Sequence, residues 1–338
     1  MVEFTRPVFI VSAPRSGSTL LRLIMDAHPN IAIPPPCWLF ELVFPYLFSY
    51  GDLSEKSNFE SLIEDVLETP TIKNWPIKFS VQELSNEVPE RTFGALVDAM
   101  HRQYARSQGK GRWGEKSPRD CFWIDEIRQN YPDAQFVHII RDGRDQAIDI
   151  AESPTLMPFN IYAGAEMWRL FVSAVLDSAN SLDKQNYYEI HYEKMCAEPE
   201  NQIRQLCEFL KEDFDESMLH HHETKSSATW GSKPGHQKAA RPITTEYCEM
   251  HKTLLGDEDR ITLDGIIGDL LKRFGYPVSE IESNPLDPRL VSQLRGSDTV
   301  SSLRNAAYKE WHQRRRIERR EAGVWDVNDR KSLLWGLS

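Results

Sequence analysis

The chain has 338 residues, 40% of them hydrophobic, and a formal net charge of −11 at pH 7. That length buries a full core in one large or two small domains, and the acidic balance speaks against a nucleic-acid partner, which needs a basic face. No apolar run approaches the roughly 20 residues of a membrane span and no signal segment is recognised, so no membrane partner or anchor is expected.

The first predicted element is a short apolar strand, Val8 to Val11, which runs into a turn built from Ser12, Pro14, Arg15, Ser16 and Gly17. A helical pattern follows at once in Leu20, Leu21, Leu23, Ile24 and Met25. Strand, small-residue turn and helix together aim several backbone N–H groups at one spot, and the positive end of the helix dipole adds to them. That spot attracts a phosphate or sulfate. Arg15 supplies a forked cation, and Ser16, Ser18 and Thr19 supply hydroxyl donors. A mere turn needs neither the arginine nor three hydroxyls around a glycine. The segment is not a Walker A loop, because no Gly-Lys-Ser/Thr follows at the required spacing.

Residues 31–50 are apolar and proline-rich, and Pro34, Pro35 and Pro36 forbid a helix there. Residues 57–107 read as polar-faced helices, with loops at Thr69-Pro70 and Val88-Pro89, Ser54 as a cap and one helix from Arg91 to Arg106. A break at Gly109 to Gly114 precedes a helix over 122–129. A buried strand then spans 135–140 and ends on Arg141, with another strand at 187–192 and a helix at 198–211. The alternation predicts an α/β fold: a central parallel sheet flanked by helices. From Glu280 onward the composition turns to Pro, Ser and Asp, then to a charge-dense helix around Trp311 to Glu321. Residues 1–284 are therefore expected to form the α/β domain and 285–338 a C-terminal helical extension. Its arginines are a docking surface for a carrier protein or for a second copy in a homodimer, unless they form only a solvated face.

Five cysteines (37, 121, 196, 207 and 248) are scattered without metal-type spacing, which reads as free thiols in a reducing cytoplasm. His220, His221 and His222 are adjacent and read as a polar loop that does not converge on one ion. No metal is expected.

The run Pro7 to Thr19, continued by Asp26-Ala27-His28-Pro29, resembles the 5′-phosphosulfate loop of sulfotransferases that use 3′-phosphoadenosine 5′-phosphosulfate (PAPS), in the bacterial carbohydrate and tyrosylprotein branches. The resemblance covers about the first four-fifths of the chain. It implies a P-loop-like sheet with a helical insertion on the acceptor side, PAPS as donor and adenosine 3′,5′-bisphosphate (PAP) as product. Donor contacts then fall to Arg15, Ser16, Gly17, Ser18 and Thr19. Arg141 matches the arginine that grips the 3′-phosphate, and Tyr192 matches a tyrosine beside the last strand. Arg241, with Lys238 second, matches the late donor-covering loop at 235–244. Trp113 to Arg119 resembles the block whose lysine reaches the transferring group, which assigns that role to Lys116.

Three positions depart from the pattern. Asp149 stands eight residues after Arg141 where the family has serine, and a carboxylate beside a phosphate costs about 1 kcal/mol or more. Met250 replaces a late basic residue. Pro36 stands where a glutamate serves as general base, so Glu41, Glu115 or Asp120 must substitute, with Glu41 favoured by apolar neighbours that raise its pKa. The expected reaction is sulfuryl transfer from PAPS to a hydroxyl or amine of a small-molecule acceptor, with Arg15, Lys116 and Glu41 in the chemistry. The alternatives are a donor-binding scaffold on a degenerate fold and a nucleotide phosphotransferase.

Overall fold

The computed structural model describes residues 6–153, 160–233 and 235–279. Five strands form the sheet: β1 (Val8–Val11), β2 (Ile31–Ala32), β3 (Arg112–Glu115), β4 (Gln135–Ile140) and β5 (Tyr187–His191). They lie in the order β2-β3-β1-β4-β5, and every pairing is parallel. β1 is fully buried along its length, as its unbroken Val-Phe-Ile-Val run requires of a central parallel strand. Alternate residues leave the sheet on opposite faces. Phe9 and Val11 join one apolar cluster with Phe136, while Val8 and Ile10 join the other with Val137 and Ile139. On the first face Phe9 meets Phe40, Trp113, Tyr131 and Phe136 at ring-centroid distances of 5.7–6.4 Å.

The chain leaves β1 towards one edge to make β2 and β3, then crosses back past β1 to make β4 and β5. Connections after β1 and β4 therefore diverge, and a crevice opens at the carboxyl ends of these strands. Four strands deliver functional residues there: the 12–19 segment follows β1, Lys116 follows β3, Arg141 follows β4 and Tyr192 follows β5.

The strands expected at 8–11 and 135–140 match these bounds, and the last expected strand ends one residue early, since Tyr192 opens a helix. β3 was expected as part of a break. Its sequence, Arg-Trp-Gly-Glu, carries a charge at each end, yet all four residues are buried. Arg112 is matched by the Leu210 carbonyl at 2.6 Å, Glu212 at 3.1 Å and the Gln135 side chain. Gly114 admits β1, because a Cβ there would stand 2.9 Å from the Val8 carbonyl oxygen. Between β2 and β3 lie the helices Lys56–Glu68, Val81–Glu87 and Phe93–Ser107, which form the insertion. The long helices Ile161–Ala179 and Asp257–Arg273 pack on the same face as Phe9 and the insertion helices, whereas Ser18–Asp26 and Pro199–Leu210 cover the other face. The expected extension at 285–338 lies outside the described residues.

Candidate active site

The turn after β1 is shaped by two residues in the left-handed region, Arg15 (φ 69°) and Gly17 (φ 89°). Gly17 caps the Ser18–Asp26 helix, with no side-chain cap and no acidic residue in the first turn, so the first N–H groups stay available. Ser18, Thr19 and Leu20 line the crevice, a cavity of about 400 Å³ whose wall also carries Arg15, Lys116 and Arg141. An uncapped helix start at a cavity wall is an anion site. Three buried donors at the turn, Arg15 Nε, Ser16 Oγ and Ser12 Oγ, have no partner among the described residues. Of these only Arg15 reaches the wall, and a multi-oxygen anion such as the phosphosulfate end of PAPS fits its unspent capacity, whereas Ser12 and Ser16 are buried off the wall.

Gly17 has a packing reason as well. A Cβ there would stand 2.4 Å from Tyr192 Cδ2. The Tyr192 ring in turn lies under the Arg141 guanidinium, 5.0 Å away. Arg141 is buried; its Nη1 donates to the Arg15 carbonyl at 2.9 Å and its Nη2 to the Tyr247 carbonyl at 2.8 Å. Asp149 also pairs with Arg141 and with two further cations, Lys238 at 3.1 Å and Arg15 at 3.8 Å. Burial pushes the Asp149 carboxyl up, but Arg141, Lys238 and Arg15 outweigh it and hold the group below its ordinary range. The departure seen in the sequence is thus an internal counter-anion seated on three cations of this cavity. Met250 faces the same guanidinium through its sulfur at 3.6 Å.

Lys116 is 4% exposed, with Nζ 3.5 Å from Thr19 Oγ1. Burial and the nearby Arg22 push its pKa down to about 8, with Glu115 and Asp120 pulling the other way. A cation this poorly hydrated is strongly stabilised by charge that develops beside it.

Not every expected residue reaches the wall. Glu41 lies off it and pairs with Arg119. Burial nonetheless raises its pKa, as expected. Glu115 is buried and spent: Oε1 accepts from the Cys37 amide at 3.0 Å and from the Ser117 hydroxyl, and Oε2 faces His101 Nε2 at 3.0 Å. Asp120 is buried off the wall, and desolvation with the neighbouring Glu115 and Glu41 charges drives its pKa well up. Arg241 is exposed and also off the wall, because the Gln237–Ala240 turn carries Lys238 inward instead. His220 and His222, read as unable to converge, do come together: with Glu223 their ligand atoms lie within 4.8 Å, on the tight turn at His221–Glu223. Trp38, which opens the aromatic stretch that the sequence suggests as an apolar acceptor wall, and His236, which lies in the expected donor-covering loop but carried no role of its own, also reach the wall. Among the described residues no helix is long and apolar enough to cross a membrane.

Comparison with known proteins bears on the fold and the family. Protein-tyrosine sulfotransferase A of Caenorhabditis elegans is 22% identical over 313 residues, covering 91% of this chain and 75% of that protein. The sulfotransferase domain of the Synechococcus PCC 7002 olefin synthase superposes with a TM-score of 0.58 at 21% identity, over 82% of this chain and 97% of that one. The sulfotransferase domain from the curacin biosynthetic pathway gives a TM-score of 0.58 at 16% identity, over 82% and 100%. Residues 7–216 match the Sulfotransferase family, and with most of the chain inside that match, this protein belongs to the family and is a sulfuryl-transferring enzyme.

Proposed function

We propose that the chain transfers the sulfuryl group of PAPS to a hydroxyl or amine of a small-molecule acceptor. The observation that carries this reading is the convergence of Arg15, the uncapped Ser18–Asp26 helix start, Lys116 and Arg141 on one cavity at the strand ends. The cavity lies within the range of small-ligand sites, and Pro36, Trp38 and Pro118 give part of its wall an apolar character suited to an uncharged acceptor body. PAPS supplies an activated sulfuryl group whose departure leaves negative charge on a phosphate oxygen. Arg15 and the helix N–H groups hold that phosphate, and Lys116 faces the bridging and peripheral oxygens. Catalysis is then mostly positioning and charge stabilisation. Five free cysteines, four of them buried, support a cytoplasmic setting.

A second acceptor class, a tyrosine side chain in a protein, is favoured by the names of the curated relatives, which include several protein-tyrosine sulfotransferases. Transfer of radiolabelled sulfate from PAPS to a panel of small phenols, alcohols and amines, run beside a tyrosine-containing peptide, separates the two. Label found in the peptide alone rejects the small-molecule reading. Arg15→Ala is expected to abolish turnover and to weaken PAP at least 100-fold by calorimetry, about 3 kcal/mol, with an unchanged circular dichroism spectrum. Undiminished turnover removes the phosphate-cradle assignment.

A further inference from the structure

Transfer to a hydroxyl needs a group that takes the acceptor's proton. Among the described residues the only carboxylate on the cavity wall is Asp149, and three cations hold it. Glu41 is engaged by Arg119 off the wall, and both oxygens of Glu115 are occupied. Burial raises the Tyr192 phenol far above neutral pH, so it has no basic form there.

His236 remains. Its half-buried ring lies on the wall with Lys116, packed edge-on against Trp230 at 4.8 Å. No hydrogen bond ties either ring nitrogen to a described residue. The backbone around it is fixed: its N–H donates to the Lys233 carbonyl at 3.2 Å, and the adjoining Gly235 carbonyl accepts from Arg15 Nη1 at 3.0 Å. The arginine that grips the donor phosphate therefore also sets the histidine in place.

We propose that His236 is the general base of the transfer, an assignment that rests on the sulfuryl-transfer reading above. The acceptor oxygen forms the new bond to sulfur, and its proton passes to the unprotonated nitrogen of His236. The bond between sulfur and the bridging oxygen breaks, and its electron pair stays on the phosphate held by Arg15. Burial, then Lys116, Arg15, Lys233 and Arg22, push the free ring down to about 4, so it is neutral and its lone pair is available at neutral pH. The anionic donor offsets the charge of Lys116 and Arg15. The proton affinity of the ring then rises in the complex that needs it.

The test uses His236→Gln in the full chain. PAP affinity by calorimetry should stay within about threefold of wild type. PAP release from PAPS should be measured at mildly alkaline pH with phenol, with 4-nitrophenol and with water alone as acceptors. A base that removes the acceptor proton predicts a loss of about 100-fold or more with phenol and with water. With 4-nitrophenol, already ionised, the loss should stay below about fivefold. An equal loss on every acceptor, or no loss, overturns the proposal. An acceptor-free readout is the NMR titration of the His236 ring in wild-type protein, whose midpoint should rise by about a unit or more on adding PAP; an unmoved midpoint also overturns it. Failure of wild-type protein to bind PAP instead rejects the donor reading, and this assignment with it.

Discussion

Lys116 sets its proposed role against stability within one side chain. Its folded-state pKa of about 8 lies below the ordinary lysine value of 10.5. Between those values the unfolded chain binds the proton more tightly than the folded one, so this group opposes folding in full below about pH 8 and progressively less as pH rises to 10.5. The penalty is roughly 3 kcal/mol. Lys116→Met removes it while keeping most of the length of the side chain. The expected result at neutral pH is a melting temperature several degrees higher and a fall of at least about 100-fold in turnover. Thermal melts and PAP release measure both; a less stable variant would show that the ammonium is already compensated. In wild type, turnover without bound-state correction should decline as pH passes about 8, where the free lysine loses its charge.

The strand–turn–helix unit after β1 is the element to which donor binding is assigned in the proposed function, and Gly17 is its tightest point. An alanine there meets a positive φ of 89° and a Tyr192 ring carbon at 2.4 Å. The backbone cost is about 1 kcal/mol, and relieving the contact moves the ring on which Arg141 rests. Gly17→Ala should therefore melt earlier and bind PAP at least tenfold more weakly, with secondary structure intact by circular dichroism; unchanged PAP affinity would uncouple Tyr192 from the donor site. This unit was legible in the sequence because every part is local: an apolar run, a glycine, an arginine and an amphipathic helix within 19 residues. β4 and Arg141 were legible for the same reason. β3 was not, since the groups that pair with its arginine and glutamate, Glu212 and His101, come from other segments. Glu41 misled because apolar neighbours in sequence do not reveal an ion pair with Arg119. The loop that holds His236 was legible by resemblance, but the histidine's own role was not, as a loop histidine acquires meaning only from the cavity that it faces.

At the scale of the whole molecule, Asp149 joins three segments that are far apart in sequence: the turn after β1 through Arg15, the end of β4 through Arg141 and the late Gln237–Ala240 turn through Lys238. Asp149→Asn leaves those cations facing one another. The unliganded protein should lose on the order of 3 kcal/mol, since the Arg141 partner is buried, and should melt lower. PAP should bind at least tenfold more tightly to the variant and restore much of the lost thermal stability by mass action. Melts with and without PAP, together with calorimetry, decide it; weaker PAP binding would mean that the carboxylate assists the nucleotide. On the proposed donor reading, a nucleotide arriving with Asp149 in its seat trades places with an occupant and does not fall into bare positive charge. The same occupant waits to reclaim the seat once the spent nucleotide loosens. A grip equal before and after the reaction adds nothing to its speed and slows departure, so a resident rival for these cations favours a catalyst that lets go over one that holds on.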